Sequence, residues 1–376
     1  MFGSSHLFGS GSGGPFYDHE IDGSMFLDGY NSAYAYRTPI DVDDETKGTW
    51  SWWWKRASED IPAGGTTVGT FFLHNVSNST NRGLTLGSCR TTLPHGLYFG
   101  VNPPSTATAN RTFLATNAQF HDQSGWVHVL WVFDSTDDVE SNRCKCYING
   151  VRQTSLFEKT YPPQNAPHYF DTGHGQWEFG DVAYAGASAT RVRFRGYMTE
   201  FHFMDGRTYG PEYFGEFKNG IWIPKQVTGV IYGGGGFYMP FTSDTNDASG
   251  NGNHFTPSGI TSDDFKKDSP TDNYCVLNPL ATGVTGAITL RDGNLRYSGH
   301  RSGVRGTFAV SSGKWYWEIK DIATGTSAHI SVSVADADHS IPTSFNDKAI
   351  VYRGNDGNKI IDTVVSSYGS AFTNGN

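Results

Sequence analysis

Charge is scarce in this 376-residue chain: Asp, Glu, Lys and Arg make up 17% of it, against about 25% in a typical globular domain. The net balance is −9, and no stretch gathers lysines and arginines into a stripe. A phosphate-backbone partner needs such a stripe, so the composition argues against nucleic acid as a ligand. No apolar run approaches the roughly 20 residues of a membrane-spanning helix. The opening MFGSSHLFGSGSGGPF lacks the basic n-region and the continuous apolar h-region of a secretory signal. Synthesis in a cytoplasm without membrane insertion is the expectation. Cysteine is sparse too. Cys89, Cys144, Cys146 and Cys275 are too few and too dispersed for a disulfide framework, so free thiols are expected. No second pair of Cys or His stands at ligand spacing, which leaves a zinc site without support. No long segment has a 3.6-residue apolar period, so helices are not expected to build the core.

Glycine, at 46 residues, and aromatics, at 14%, are what the chain has in quantity. The aromatics fall in short runs between Gly, Asn, Asp and Ser clusters, which favours an all-β architecture. Its clearest part is Gly125–Gln153. Trp126–Phe133 is an apolar run broken only by His128, the composition of a central strand buried on both faces, and such a strand needs a covering sheet on each side. Cys144, Cys146 and Ile148 then alternate with Lys145 and Tyr147. Asn149-Gly150 supplies the two positive φ values of a type I′ turn, and Val151 starts the returning strand.

Further strands are read at Met25–Leu27, Tyr30–Tyr36, Thr49–Lys55, Val68–His74, Leu84–Cys89, Gly96–Val101, Trp177–Gly180 and Val192–Met204. In Thr49–Lys55, alternation puts Trp50, Trp52 and Trp54 on one face and Trp53 on the other. Tryptophans inside a central strand are more often core than sugar platform. Glu200 is expected to alternate with Phe201, His202 and Phe203. Tyr209–Lys218 reads as one short helix, with Pro211 near its start and Asn219-Gly220 stopping it. His95, His121 and His128 are scattered and have no matching acid–base constellation.

The pieces WVHVLWVFD and CYING, with SMFLDGYNSAYAYRTP and TWSWWWKRA upstream and FRGYMTEFHFMDGR downstream, resemble laminin-G-like or concanavalin-A-like lectin domains. That resemblance covers residues 21–225 and implies a jelly-roll sandwich of two antiparallel sheets, used mainly to bind glycans or proteins. Residues 226–280 change in composition, with the run Gly233–Gly236 and a polar Asp244–Asn253, and read as an extended connector. It is expected to pin Phe237, Tyr238, Phe241, Phe255 and Phe265 onto neighbouring surfaces. The glycine run lacks the Lys-Ser/Thr of a phosphate-binding loop. In residues 281–376, GHRSGVRGTFAVSSG followed by GKWYWEI resembles the opening of SPRY domains. It predicts a strand over Gly313–Ile319 and another at Ile330–Val334. The later strands of that family are missing, so a longer polypeptide is expected.

Two enzyme-like features were weighed. A concanavalin-like glucanase needs paired carboxylates on one strand face; the nearest match, Glu20-Ile21-Asp22-Gly23-Ser24, has Ser24 where the second is required. Asp134, Asp137, Asp138 and Glu140 read as a solvated loop or as a calcium site of the laminin-G type, without fixed ligand spacing. No catalytic residue, resident metal or other cofactor is assigned. The order of the pieces over nearly the whole chain resembles structural proteins of tailed bacteriophages of marine and cyanobacterial hosts. This implies a non-enzymatic virion component, made in the host cytoplasm. The first expectation is a tail-fibre or adhesin subunit, commonly a homotrimer, whose partners are other tail or capsid proteins and a host-surface glycan or protein. The alternatives are a capsid decoration protein and a glycan hydrolase. Residues 1–20 are the expected docking segment, with Phe2, Leu7 and Phe8 as the residues that bury on the particle.

Overall fold

The computed structural model describes the chain except for residues 1–15, 30–32, 58–69, 76–82, 91–92, 104–110, 171–175, 184–190, 284–287, 300–302, 320–328, 334–348, 362 and 372–376. Phe2, Leu7 and Phe8 lie outside the described residues. The chain is all-β and falls into two units, the first ending at Tyr274 and the second beginning at Cys275.

In the first unit the strands run Ser24–Leu27 (β1), Tyr34–Arg37 (β2), Lys47–Arg56 (β3), Thr70–Asn75 (β4), Gly83–Arg90 (β5), Leu93–Asn102 (β6) and Thr112–Gln119 (β7). They continue with Val127–Asp134 (β8), Cys144–Ile148 (β9), Val151–Arg152 (β10), Leu156–Thr160 (β11), Gln176–Ala183 (β12), Arg191–Arg193 (β13) and Gly196–Asp205 (β14). Gly215–Lys218 (β15), Ile221–Pro224 (β16), Phe237–Met239 (β17), Thr256–Ser258 (β18) and Phe265–Lys266 (β19) complete it. One sheet has the order β10-β9-β8-β3-β14-β1-β19, with β17 also on β14; the other runs β11-β7-β6-β5-β4-β12-β2-β18, with β13 on β12. This is the two-sheet antiparallel jelly-roll sandwich that the sequence predicts.

The core between the sheets is aromatic. Trp50, Trp52 and Trp54 point into it from β3, meeting Phe201 and Phe203 from β14 and Val129, Trp131 and Phe133 from β8. Trp50 stacks on Phe203 and Trp52 on Phe201, with ring centroids 5.0 and 5.4 Å apart. Each such pair adds about 0.5–1.5 kcal/mol beyond its burial. The β9–β10 hairpin turns at Asn149 and Gly150, φ 46° and 76°, and the Asn149 side chain accepts a 2.8 Å bond from the His128 amide, fixing the turn against β8.

Strand β8 is buried on both faces, but among the described residues no second large sheet covers its other side. Leu130 and Val132 pack there against Met204 and Phe214, with Tyr209, Val227, Val230 and Tyr232 around them. The expected helix over Tyr209–Lys218 is replaced by a single 3-10 turn, Pro211–Tyr213, and the hairpin β15–β16. Asn219 and Gly220 have φ 53° and 79°, so the pair that reads as a helix stop is a type I′ turn joining strands. Residues 226–280 are also built in more firmly than a connector would be. They supply β17, β18 and β19 to the two large sheets, and Phe237, Phe241 and Phe255 to the core. Pairing with existing strand edges satisfies a backbone whose own composition is too polar to fold alone.

The glycine run has a specific use. The Gly235 amide donates to the Asp205 carboxylate at 2.9 Å and the Gly234 amide to Asp43 at 3.2 Å. Asn251 and Asn253 donate to the carbonyls of Gly233, Gly234 and Gly236. A Cβ on Gly236 would meet the Tyr232 carbonyl oxygen at 1.9 Å, so that position has no room for a side chain. These amides hold the protein's own carboxylates.

The second unit contains Leu277–Gly283 (β20), Ile288–Arg291 (β21), Arg296–Gly299 (β22), Gly303–Gly306 (β23), His329–Ser333 (β24), Ala349–Arg353 (β25), Asn358–Ile361 (β26) and Val364–Ser367 (β27). They pair as β20-β23, β21-β22 and β24-β25-β26-β27. The expected strand Gly313–Ile319 does not form: 314–319 carries no ladder, and Trp315, Trp317 and Ile319 are 41%, 40% and 56% exposed. Alternation alone cannot bury a face when no neighbouring strand among the described residues pairs with it. The strand expected at Ile330–Val334 is present as β24.

Because Leu130 is fully buried in the cluster with Val132, Met204 and Phe214, Leu130→Asp is expected to abolish soluble expression; an unpaired charge there costs several kcal/mol. Soluble yield and far-ultraviolet circular dichroism check this, and a normally folded variant would refute the register of β8.

Candidate functional site

Strand β14 pairs with β3 along its length, except that Thr199 faces Trp53 and His202 faces Ser51, so Glu200 and Phe201 together oppose Trp52. This is a β-bulge, one residue more than the simple alternation expected from the sequence. Glu200 takes φ 51°, a conformation that costs a non-glycine residue free energy unless its surroundings fix it. The bulge sends Phe201 and Phe203 into the core while Glu200 and His202 turn to the outer face of the sheet.

Three groups hold the Glu200 side chain. Tyr238, on β17, donates its hydroxyl to Oε1 at 2.5 Å. The Nε2 atoms of His202 and His19 lie 3.7 and 3.8 Å from Oε2. His202 stacks on Tyr238 at 4.3 Å between centroids, and its Nδ1 shares a 2.8 Å hydrogen bond with the Tyr232 hydroxyl. Burial by itself would raise the Glu200 pKa, but the imidazoles and the Tyr238 hydroxyl outweigh it and hold the carboxylate down at about 2. Burial, then the charge on Glu200, pushes both tyrosines well above their ordinary range.

A small cleft opens between this face and the segment after β14. Trp53, Phe214, Pro224 and Val227 give it apolar walls, and Ser51, His128, Glu200, His202 and Lys225 give it polar groups. His128, on β8, shares a 2.9 Å hydrogen bond with Ser51 Oγ on β3 through Nε2, while its buried Nδ1 has no partner. Burial, then the neighbouring His202, pushes the His128 pKa down to about 3, so its ring is neutral at ordinary pH. Chemically the cleft offers one fixed carboxylate, the neutral His128 ring, the His202 imidazole, a hydroxyl and an aromatic wall.

The residues named from sequence fall elsewhere. Glu20 and Asp22 are exposed and precede β1; Ser24 is buried and donates to the Asp268 carbonyl. Asp134, Asp137 and Asp138 accept bonds from the Thr136 amide, the Val139 amide and the Gln164 side chain, which shapes their loop. Of the scattered histidines, His128 joins this polar cluster and His121 shares a 3.1 Å hydrogen bond with Gln119, while the side chain of His95 lies outside the described residues. Glu200, His202, Tyr238, Tyr232 and His19 were not read as a site, since Tyr238, Tyr232 and His19 reach it from segments distant in sequence. The two-residue Glu-x-His spacing was the available signal, but simple alternation also yields it.

No family model matches the sequence, and no curated protein does. Solved structures similar to the chain include the Ruminococcus gnavus sialidase CBM40 bound to α2,3-sialyllactose, at 16% identity and TM-score 0.30 over 47% of this chain and 88% of that one. Domains LG4-5 of the mouse laminin α1 chain match at 12% identity and TM-score 0.30, over 58% of this chain and 48% of that one. The enzymatically active domain of tailspike protein 2 of bacteriophage CBA120 matches at 11% and TM-score 0.33, over 51% and 26%. Likeness at this level assigns neither ligand nor activity.

The Glu200 network predicts an acid limb in stability. A carboxylate depressed on folding contributes stability above its unfolded pKa near 4.3 and loses it as pH falls toward 2, a span on the order of 3 kcal/mol. His128 acts in the same direction from a higher starting pH, its contribution fading as pH falls from its unfolded value near 6.5 toward about 3, because burial disfavours its protonation. Glu200→Gln should therefore lose less stability than wild type between pH 7 and pH 3 in urea titrations. Equal pH slopes in the two proteins would show that the network does not hold the charge.

Proposed function

We propose that the chain is a non-enzymatic component of a tailed-phage virion: a tail-fibre or adhesin subunit whose sandwich recognises a glycan or protein on the host surface. Residues 1–20 serve as its docking segment, and residues 281–376 carry a SPRY-like module. The virion reading is supported by the order of pieces along the sequence, and a homotrimeric state follows from that class. The protein is made in the host cytoplasm and built into the particle there.

The observation that carries the non-catalytic reading is the state of Glu200. A glycosidase acid must hold a proton near neutral pH, opposite a second carboxylate about 5–10 Å away. Glu200 is instead held ionised to about pH 2, and it is the single carboxylate among the cleft-lining residues. A fixed charge, the neutral His128 ring and an aromatic wall suit recognition of polar ligands better than proton transfer to them.

On a glycan microarray the full chain should retain a defined subset of glycans and release no reducing ends from β-glucans or peptidoglycan. Hydrolysis lost on Glu20→Gln or Glu200→Gln would replace the binding reading with a hydrolase. Removing Met1–Pro15 should leave a folded, soluble protein that is absent from assembled particles. Incorporation at wild-type occupancy would move attachment to the sandwich and favour a capsid decoration role.

A further inference from the structure

The most deeply buried charged group on the outer face of β3 is Lys55, with no exposed surface, and it lies away from the Glu200 cleft. Its ammonium donates to three oxygens: Asp268 Oδ2 at 2.8 Å, Asn273 Oδ1 at 2.7 Å and the Tyr274 carbonyl at 2.8 Å. Trp126 Nε1 donates to the other Asp268 oxygen at 2.9 Å, and Asn273 Nδ2 donates to the Ser124 carbonyl at 2.8 Å. Tyr197 lies under the ammonium, 5.6 Å from ring centroid to Nζ, and packs with Phe26, Ala57 and Trp126. An amine, a side-chain amide and a carboxylate thus meet within one unit, the amine and carboxylate buried and the amide partly so, from positions 213 to 218 residues apart in sequence.

We propose that this pocket forms an intramolecular isopeptide bond between Lys55 Nζ and Asn273 Cγ, with Asp268 as the proton acceptor. In the step, Asp268 takes one proton from the Lys55 ammonium, and the freed amine attacks Cγ, forming the new C–N bond. The tetrahedral intermediate collapses by breaking the Cγ–Nδ2 bond. The second proton given up by Nζ goes to Nδ2, which leaves as ammonia. The products are a neutral secondary amide, a protonated Asp268 and ammonia; the ion pair of the starting state is consumed and no oxidant or external group takes part.

The geometry supports each part of that step. With Nζ 2.7 Å from Oδ1 and a carbonyl bond of about 1.23 Å, the amine is at most about 3.9 Å from Cγ. Reactive approach needs roughly 3–3.5 Å, a displacement within thermal reach of a lysine side chain. The amide nitrogen is tethered by Ser124, so the carbonyl stays presented to the amine. Burial, which outweighs the opposing pull of Lys55, raises the Asp268 pKa, and a carboxyl group of that kind is suited to keeping the proton once the lysine charge is gone. Lys55 and Asp268 are themselves shielded from water, which strengthens the electrostatics between them. The bond would lock β3 to the strap 268–274, through which the chain leaves the sandwich, so tension on the chain past Tyr274 would load a covalent link and not only the short strand β19.

Intact-mass spectrometry of the folded full chain tests this without any variant: the expected mass is lower than that of the sequence by one ammonia. A tryptic digest should contain Gly48–Arg56 joined to Asp268–Arg291 through Lys55 and Asn273, in place of the separate peptides. Asn273→Ala, which removes the electrophile, should restore the full calculated mass. Asp268→Asn should also be unlinked, and linkage at the wild-type level in that variant would overturn the role of Asp268. Unlinked peptides at full mass in folded wild-type protein would overturn the bond itself, whether or not the variants fold.

Discussion

Strand β3 is buried on both faces, and much of the first unit follows from that constraint. Its inner face, Trp50, Trp52 and Trp54, forms the middle of the core. Its outer face carries Thr49, Ser51, Trp53 and Lys55, of which three are polar, and a polar group taken out of water must find a partner. Thr49 bonds the Arg207 carbonyl and the Tyr209 amide, Ser51 bonds His128, and Lys55 bonds Asp268, Asn273 and Tyr274. The partners come from the turn after β14, from β8 and from the strap after β19. The segments that cover the outer face are placed by what β3 needs.

The same reasoning explains why the Glu200 bulge persists. A non-glycine residue at positive φ in the middle of a central strand is unfavourable by itself, of order 1–3 kcal/mol. Here the carboxylate that the bulge turns outward accepts a hydrogen bond from Tyr238 and lies within ion-pair distance of two imidazoles, and charge-assisted hydrogen bonds in a buried setting are strong. Strain and hydrogen bonding are therefore two sides of one arrangement.

Much of this was legible in the sequence, and the reasons are local. The β9–β10 hairpin is written in Asn149-Gly150, and the two faces of β3 in strict alternation. Free Cys144 and Cys146, side by side on one face of β9, are buried as their spacing required. What was not legible depends on partners far away in the chain. Asn219-Gly220 is the same dipeptide as Asn149-Gly150, but Pro211 upstream made a helix stop look equally good. The stretch after Gln226 looked unable to fold, because its hydrogen-bond partners are the edges of other strands. Gly313–Ile319 has the pattern of a strand without a ladder to join. Glu200 looked like one more alternating residue, since a bulge leaves no mark in composition.

Lys55 shows how far that limit reaches. Lys55 closes the strand read at Thr49–Lys55, and nothing in TWSWWWKRA itself marks that lysine for burial. Its burial follows only when residues more than two hundred positions later arrive to satisfy all three N–H groups. A buried ion pair is weak evidence of stability, because the desolvation of both charges offsets most of their attraction. An apolar pair of similar volume would hold β3 to the strap at least as well. The presence of an amine, a carboxylate and an amide there, each directed at another, is thus poorly explained by stability alone and better explained by chemistry that only those three groups can perform.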